Sequence, residues 1–164
     1  MAAELDLKKF LSRFKSVFKQ TQSQRVLKAL GKQSIFLIKK RTRLGYGVRR
    51  DYGKKKKLIG LSENYVQYRK DNKQLLNKFT RPSRSNLTFT GQMLDSMKIR
   101  KIKRGRLTIG PYGRRRGENL TNQKLAQYVE QNGRPFNHLS QLEIKQLQRF
   151  YRKTFGDLVN KYKL

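Results

Sequence analysis

Cysteine and tryptophan are absent from the 164-residue chain, histidine occurs once and proline three times. Without cysteine there is no disulfide framework and no thiolate metal site. A single imidazole, His138, rules out any site that needs two from one chain. Acidic side chains are scarce too: ten Asp and Glu stand against 41 Lys and Arg. They are scattered from Glu4 to Asp157 with no Asp-x-Asp or Glu-x-x-Asp pairing, so the converging carboxylates of a two-metal nuclease are not to be expected. Apolar residues make up 35% of the chain, below the roughly 45–50% of an ordinary globular domain. No run approaches the ~20 apolar residues of a membrane-spanning helix. The opening Met1-Ala-Ala-Glu-Leu-Asp6 has no basic stretch followed by an apolar one. No secretory signal is therefore expected, and the cytoplasm is the expected place of synthesis.

What the chain has in abundance is positive charge. The formal net charge is +31, whereas solubility alone asks for roughly 2–8. A chain so charged repels itself, and a polyanion is the expected partner: nucleic acid, an acidic protein or a membrane surface.

The elements follow from the spacing of the apolar residues. Glu4 to about Gln20 carries Leu7, Phe10, Leu11, Phe14, Val17 and Phe18 at helical intervals, one stripe on a basic amphipathic helix. Ser23 to Lys40 predicts a second helix through Val26, Leu27, Leu30, Ser34, Leu37 and Ile38, with Gly31 weakening it by about 1 kcal/mol relative to Ala. Residues 41–60 hold four glycines, three of them within 45–53, and no apolar period, which predicts an exposed basic arm. Its adjacent Lys54, Lys55, Lys56 and Lys57 should be solvated or docked on an anion. Ser62 predicts the N-cap of a short helix to about Lys70, and 71–85 a polar connection. A turn at Thr90-Gly91 leads into a short helix holding Met93 and Leu94, followed by a hairpin over 97–109. Asn122–Gln131 predicts a helix stopped at Asn132-Gly133. Ser140-Gln-Leu-Glu143 is a capping box opening the last and longest helix. The sum is α+β: an N-terminal helical pair and a central antiparallel hairpin packed against C-terminal helices. The expected organisation is an appendage at 1–40, the arm at 41–60 and one domain at 61–164.

Catalytic constellations find little support. Glu143-Ile-Lys145 matches half of one nuclease pattern, but the glutamate already serves the capping box. His138 as a general base has no carboxylate nearby in sequence and sits beside a helix cap. Tyr151 as a recombinase nucleophile, with Arg134 and His138 as helpers, lacks a second arginine and a large enough core. Gly45, Gly47 and Gly53 follow no strand and precede no Gly-Lys-Ser/Thr, so they form no phosphate-binding loop. The expectation is a non-enzymatic protein with no catalytic residue, no metal and no cofactor.

The basic clusters carry the functional expectation. Arg49 and Arg50, Lys54–Lys57, the stretch containing Lys101, Lys103, Arg104 and Arg106, and Arg114, Arg115 and Arg116 interleave with Tyr46, Tyr52 and Tyr112. Such segments neutralise phosphates with an affinity that falls steeply with salt. No base-reading motif accompanies them, so any contact with nucleic acid should ignore sequence.

Four word-like stretches then occur in order. Leu61-Ser-Glu-Asn-Tyr65 is followed by Arg69-Lys70. Ser85-Asn-Leu-Thr-Phe-Thr-Gly-Gln-Met-Leu-Asp-Ser96 runs into the hairpin and the Ile109-Gly110 step. Lys124-Leu-Ala-Gln-Tyr-Val-Glu-Gln-Asn-Gly133 leads to Arg134-Pro135-Phe136 before the closing helix. Over roughly 60–160 this pattern resembles the virion-morphogenesis proteins of tailed bacteriophages, the neck or tail-completion proteins of head–tail joining. The resemblance implies a structural virion subunit, repeated as a ring around the genome channel and assembled in the host cytoplasm. It would contact portal, adaptor and tail proteins, with double-stranded DNA contacted without sequence preference. It also implies structural roles for Thr90-Gly91, as the turn that lets the hairpin pack on the last helix, and for Gly133 and Arg134-Pro135-Phe136, which lead into that helix. The 41–60 stretch and the high charge depart from the family pattern. Because a strongly cationic lumen would drag on the genome, a division is expected, with some loops on acidic neighbours and others weakly on DNA. The competing expectation is a sequence-independent nucleic-acid-binding protein, ribosomal-type or genome-packaging.

Overall fold

A computed structural model describes residues 24–48, 55–78, 80–103, 106–117 and 119–161. The expected helix at 4–20, the cations Arg49, Arg50, Lys54 and Arg104, and Tyr52 lie outside these residues. Within them the fold is α+β, as the pattern of elements predicts.

The chain enters through α1 (Gln24–Arg43), which buries Val26, Gly31, Ser34 and Ile38 on one face. The helix runs three residues past the expected Lys40 because Arg41 and Thr42 are themselves buried. Lys40, Arg41 and Arg43 occupy its last turn, where the helix dipole favours cations. Gly45, at φ +83°, ends it.

Two hairpins flank this helix. The first pairs β1 (Tyr46–Val48) antiparallel with β2 (Lys55–Lys57), in the register Tyr46 to Lys57 and Val48 to Lys55. The second pairs β3 (Lys98–Lys103) with β4 (Arg106–Gly110). Both lie against α1.

Between the hairpins come α2 (Glu63–Asp71), a 3-10 turn at Lys73–Leu75 and the single turn α3 (Gln92–Asp95). The expected N-cap is in place: the Tyr65 amide donates to Ser62 Oγ at 3.4 Å. Last come α4 (Asn122–Gln131), capped by Thr121, and α5 (Gln141–Lys161), which packs on α1. The capping box closes as expected. Ser140 N donates to Glu143 Oε2 at 2.7 Å and Glu143 N to Ser140 Oγ at 3.3 Å.

The core is small. Ile38, Met93, Leu94, Met97, Ala126 and Phe136 form its buried cluster, with Ile109, Leu125 and Val129 packed around it. Ile38 belongs to α1 and Ile35 packs against the cluster, so α1 contributes to the core rather than standing apart from it as an appendage.

The 41–60 expectation also changes. Val48 and Leu58 are buried, and the Val48 amide donates to the Pro135 carbonyl at 2.9 Å. Strands of three residues are too short to display a period in sequence, so the apolar anchors Val48 and Leu58 read as isolated residues. Lys55, Lys56 and Lys57 are solvent-exposed, as their mutual repulsion predicts.

Candidate polyanion interface

Hairpin β3–β4 owes its charged face to an irregular register. Ile99 pairs with Ile109, but Lys101 pairs with Thr108, leaving Arg100 as an extra residue. A bulge of this kind lets two side chains three positions apart share a face, and Ile99 and Ile102 are accordingly both half-buried. Lys101, Lys103 and Arg106 are left exposed and, with Thr108, line one shallow concavity. Lys103 and Arg106 are direct cross-strand partners. Like charges so opposed weaken a hairpin by a few tenths to about 1 kcal/mol, a penalty that an anion lying between them removes.

Gly31 positions this hairpin. An ideal Cβ at Gly31 would lie 2.7 Å from Ile99 Cδ1 and 3.1 Å from Leu107 Cδ2. The glycine that weakens α1 is therefore the one that lets β3–β4 seat on it. The hairpin's helical support is α1, whereas the resemblance implied the last helix. Gly91, at φ +77°, instead starts α3 against Asn77, whose Nδ2 would lie 2.4 Å from an added Cβ.

The tyrosines among the basic clusters engage the lysines directly. Lys55 Nζ lies 3.9 Å from the centroid of the Tyr46 ring, and Lys98 Nζ lies 3.8 Å from that of Tyr112. Each ring holds a cation at the surface by its π face.

The Arg114–Arg116 loop is better fixed than its sequence suggests. Gly113 and Gly117 take positive φ, Arg115 N donates to Leu120 O, and Arg116 N donates to Gln92 Oε1 at 2.9 Å. Arg114 and Arg116 are exposed, but Arg115 is half-buried beside α4.

The residues leading into α5 brace the molecule. Gly133, at φ +73°, follows the C-cap of α4. Arg134 donates to Gly60 O at 3.1 Å, the Pro135 carbonyl receives β1, and Phe136 is fully buried. Thr90 is half-buried.

Two buried arginines went unforeseen in these roles. Arg41 donates to the Glu143 carboxylate and to the His138 carbonyl. Arg69 donates to the carbonyls of Pro82 and Arg84 at 3.2 and 2.9 Å. Burial pulls both guanidinium groups below their ordinary pKa. Glu143 opposes that effect at Arg41, and Arg134 adds to it at Arg69. Arg41 lies three residues beyond Ile38 and Arg69 four beyond Tyr65, so each is in line with the inner face of its helix, but a charged residue there does not by itself signal burial. The His138 side chain is half-exposed, with Nε2 3.8 Å from Glu130.

Among the described residues no group of three His, Cys, Asp or Glu is placed to hold a metal ion, and no helix is long and apolar enough to cross a membrane. No protein-family model, curated protein or solved structure matches the chain.

Proposed function

We propose that the chain is a structural virion subunit of a tailed phage, a ring-forming head–tail connector or tail-completion protein at the neck. The observation that carries this reading is that the four resembling stretches form one packing unit. Arg69 of the first reaches Asn86 at the start of the second and the Arg84 carbonyl just before it. Met93 and Leu94 of the second share a buried cluster with Ala126 of the third and Phe136 of the last. Met97 and Ile109, at the ends of the hairpin, close the same cluster. Buried residues of the resembling stretches thus do packing work, while the described cations of both hairpins, Lys55–Lys57 and Lys98, Arg100, Lys101, Lys103 and Arg106, face outward. A chain with so small a core gains stability from neighbouring copies.

The partners in this reading are further copies of the chain, portal or adaptor proteins, and tail proteins, with DNA in the channel. Native mass spectrometry and negative-stain imaging of the purified full chain test it. A closed symmetric oligomer free of nucleic acid is the expected result, and a monomer that assembles on no partner of the neck overturns it.

One feature favours a second reading, a nucleic-acid-binding protein blind to sequence. Lys101, Lys103 and Arg106 converge on a single concavity, as a phosphate-tracking surface requires. A monomer that becomes ordered only on RNA or DNA is the outcome that selects it.

A further inference from the structure

The hairpin cations face solvent, but three other arginines gather elsewhere. Arg69, Arg115 and Arg134 line one groove between α2, the 85–93 segment and α4, with a volume of about 270 Å³. No Asp or Glu is among its lining residues. Asp95, adjacent to the lining Gly91, is engaged by Arg43 at 2.7 Å. The described wall of the groove is therefore cationic.

Two buried polar groups in this wall are left incomplete. Arg69 is only 2% exposed, and its Nε has no hydrogen-bond partner among the described residues. Ser85 is 7% exposed, and its hydroxyl also has none. Arg69 is held by neutral oxygens and by the rings of Tyr65 and Phe89, 5.6 and 5.9 Å from its guanidinium carbon. A buried guanidinium without an anion, beside a hydroxyl without a partner, is costly unless an acceptor arrives from outside. Carboxylate oxygens are suited to both, since they accept from guanidinium and hydroxyl alike.

The rest of the wall is apolar. Leu87, Phe89, Leu125 and Val129 line it, and Tyr65 and Tyr128 stand beside them. Tyr128 is largely exposed. An intact duplex keeps its bases stacked inside and offers such a wall only phosphate and sugar, whereas a protein segment brings carboxylates and an apolar side chain together.

We propose that this groove receives an acidic protein segment, with an apolar side chain on the Leu87–Leu125 wall and an adjacent carboxylate meeting Arg69, Arg115 and Arg134. The groove is separate from the hairpin cations, so the inference stands under either reading of the protein's function.

Fluorescence anisotropy with the full chain at 150 mM salt tests it. The probe is a labelled ten-residue peptide of alternating glutamate and leucine. One comparator replaces leucine with serine at equal charge, and the other replaces glutamate with glutamine. The glutamate–leucine probe should bind about tenfold tighter than either, since one lacks the apolar side chains and the other the charge. Arg115→Gln with Arg134→Gln should weaken it by about tenfold or more. Lys145→Gln with Arg149→Gln, removing the same charge from the exposed face of α5, should change it less than about twofold, as expected of exposed charges screened by salt.

Arg69→Met risks the fold because the residue is buried. Tyr128→Glu, which sets a negative charge at the exposed edge of the groove, supplies an independent loss of binding. Equal binding of the glutamate–serine peptide, or an equal loss from the α5 pair, overturns the proposal. So does a charge-matched DNA duplex that loses the same affinity in the Arg115/Arg134 variant, which would make the groove a nucleic-acid site.

Discussion

Arg41 in α1 and Glu143 in α5, 102 residues apart in the chain, form a buried ion pair whose side chains are 4% and 8% exposed. Glu143 also accepts from the backbone and hydroxyl of Ser140, so one carboxylate both caps α5 and ties it to α1. Removing one partner of a buried pair strands the other charge, at a cost of about 3–5 kcal/mol. Arg41→Met and Glu143→Leu should each lower stability by about that much in urea unfolding. The double variant should be less damaged than the sum of the two, because neither charge is then left alone. Strict additivity would mean that the pair contributes nothing beyond its separate contacts.

Gly31 sets helix propensity against packing. Alanine at an exposed helical position is favoured by about 1 kcal/mol over glycine. Here its Cβ would meet Ile99 Cδ1 at 2.7 Å and Ile99 Cγ1 at 2.8 Å. Overpacking of this sort costs about 1–3 kcal/mol, so Gly31→Ala should lower the thermal midpoint despite the better helix former. Ile99→Ala removes both atoms, so Gly31→Ala added to it should cost much less than Gly31→Ala in the parent. A Gly31→Ala protein more stable than the parent would show that the hairpin does not sit against α1 at this point.

Much of this fold is visible in the sequence where a local rule sets the structure. Ser62, the Ser140–Glu143 box and Asn132-Gly133 each bound a helix through hydrogen bonds or backbone angles that operate within four residues. The hairpin over 97–109 is likewise legible, although its bulge at Arg100 breaks the alternation that announces a strand. What is not legible depends on partners far along the chain. Arg41 and Arg69 read as two more cations in a basic protein, and only tertiary structure distinguishes them from the solvated ones. The β1–β2 hairpin escapes for a related reason: Gly47 is required by the Pro135 carbonyl, 2.3 Å from where its Cβ would be. The candidate site divides in the same way. The exposed Lys101, Lys103 and Arg106 follow from charge and period, while the gathering of Arg69, Arg115 and Arg134 does not.

Gly47 itself makes a sharp test of the first hairpin. The atom it avoids is backbone, and the same Pro135 carbonyl accepts from Val48 at 2.9 Å. No rotamer change relieves such a collision, so Gly47→Ala should cost about 1–3 kcal/mol and expose the hairpin to proteolysis. Limited digestion followed by mass spectrometry should show new cleavage between residues 46 and 58. An unchanged digestion pattern and midpoint would mean that β1 does not lie on the Pro135 backbone.

The hairpin cations predict how binding to nucleic acid varies with salt. If Lys101, Lys103 and Arg106 meet phosphates, random duplex should bind at 50 mM salt and much less at 200 mM. Lys101→Gln, Lys103→Gln and Arg106→Gln together should reduce the slope of log affinity against log salt by about one for each phosphate no longer neutralised. Duplexes of unrelated sequence should behave alike. Absence of binding at 50 mM salt removes DNA as a partner of this surface and leaves acidic proteins.

Ile144 and Tyr151 lie two helical turns apart on α5 and are exposed, and with Leu30, Leu139 and Leu147 they line an open trough between α1 and α5. A contiguous apolar surface of this kind marks an interaction site more often than scattered exposed residues do. In a ring subunit it is a candidate contact with the adjacent copy, where a glutamate would replace apolar contact with a charge that has to be desolvated. Ile144→Glu with Tyr151→Glu should therefore shift the assembly to monomers in analytical ultracentrifugation. Because both side chains already meet water in the monomer, its unfolding midpoint should move little. If the oligomer persists in the double variant, the copies meet through another surface; if the monomer unfolds instead, the trough serves the chain's own packing.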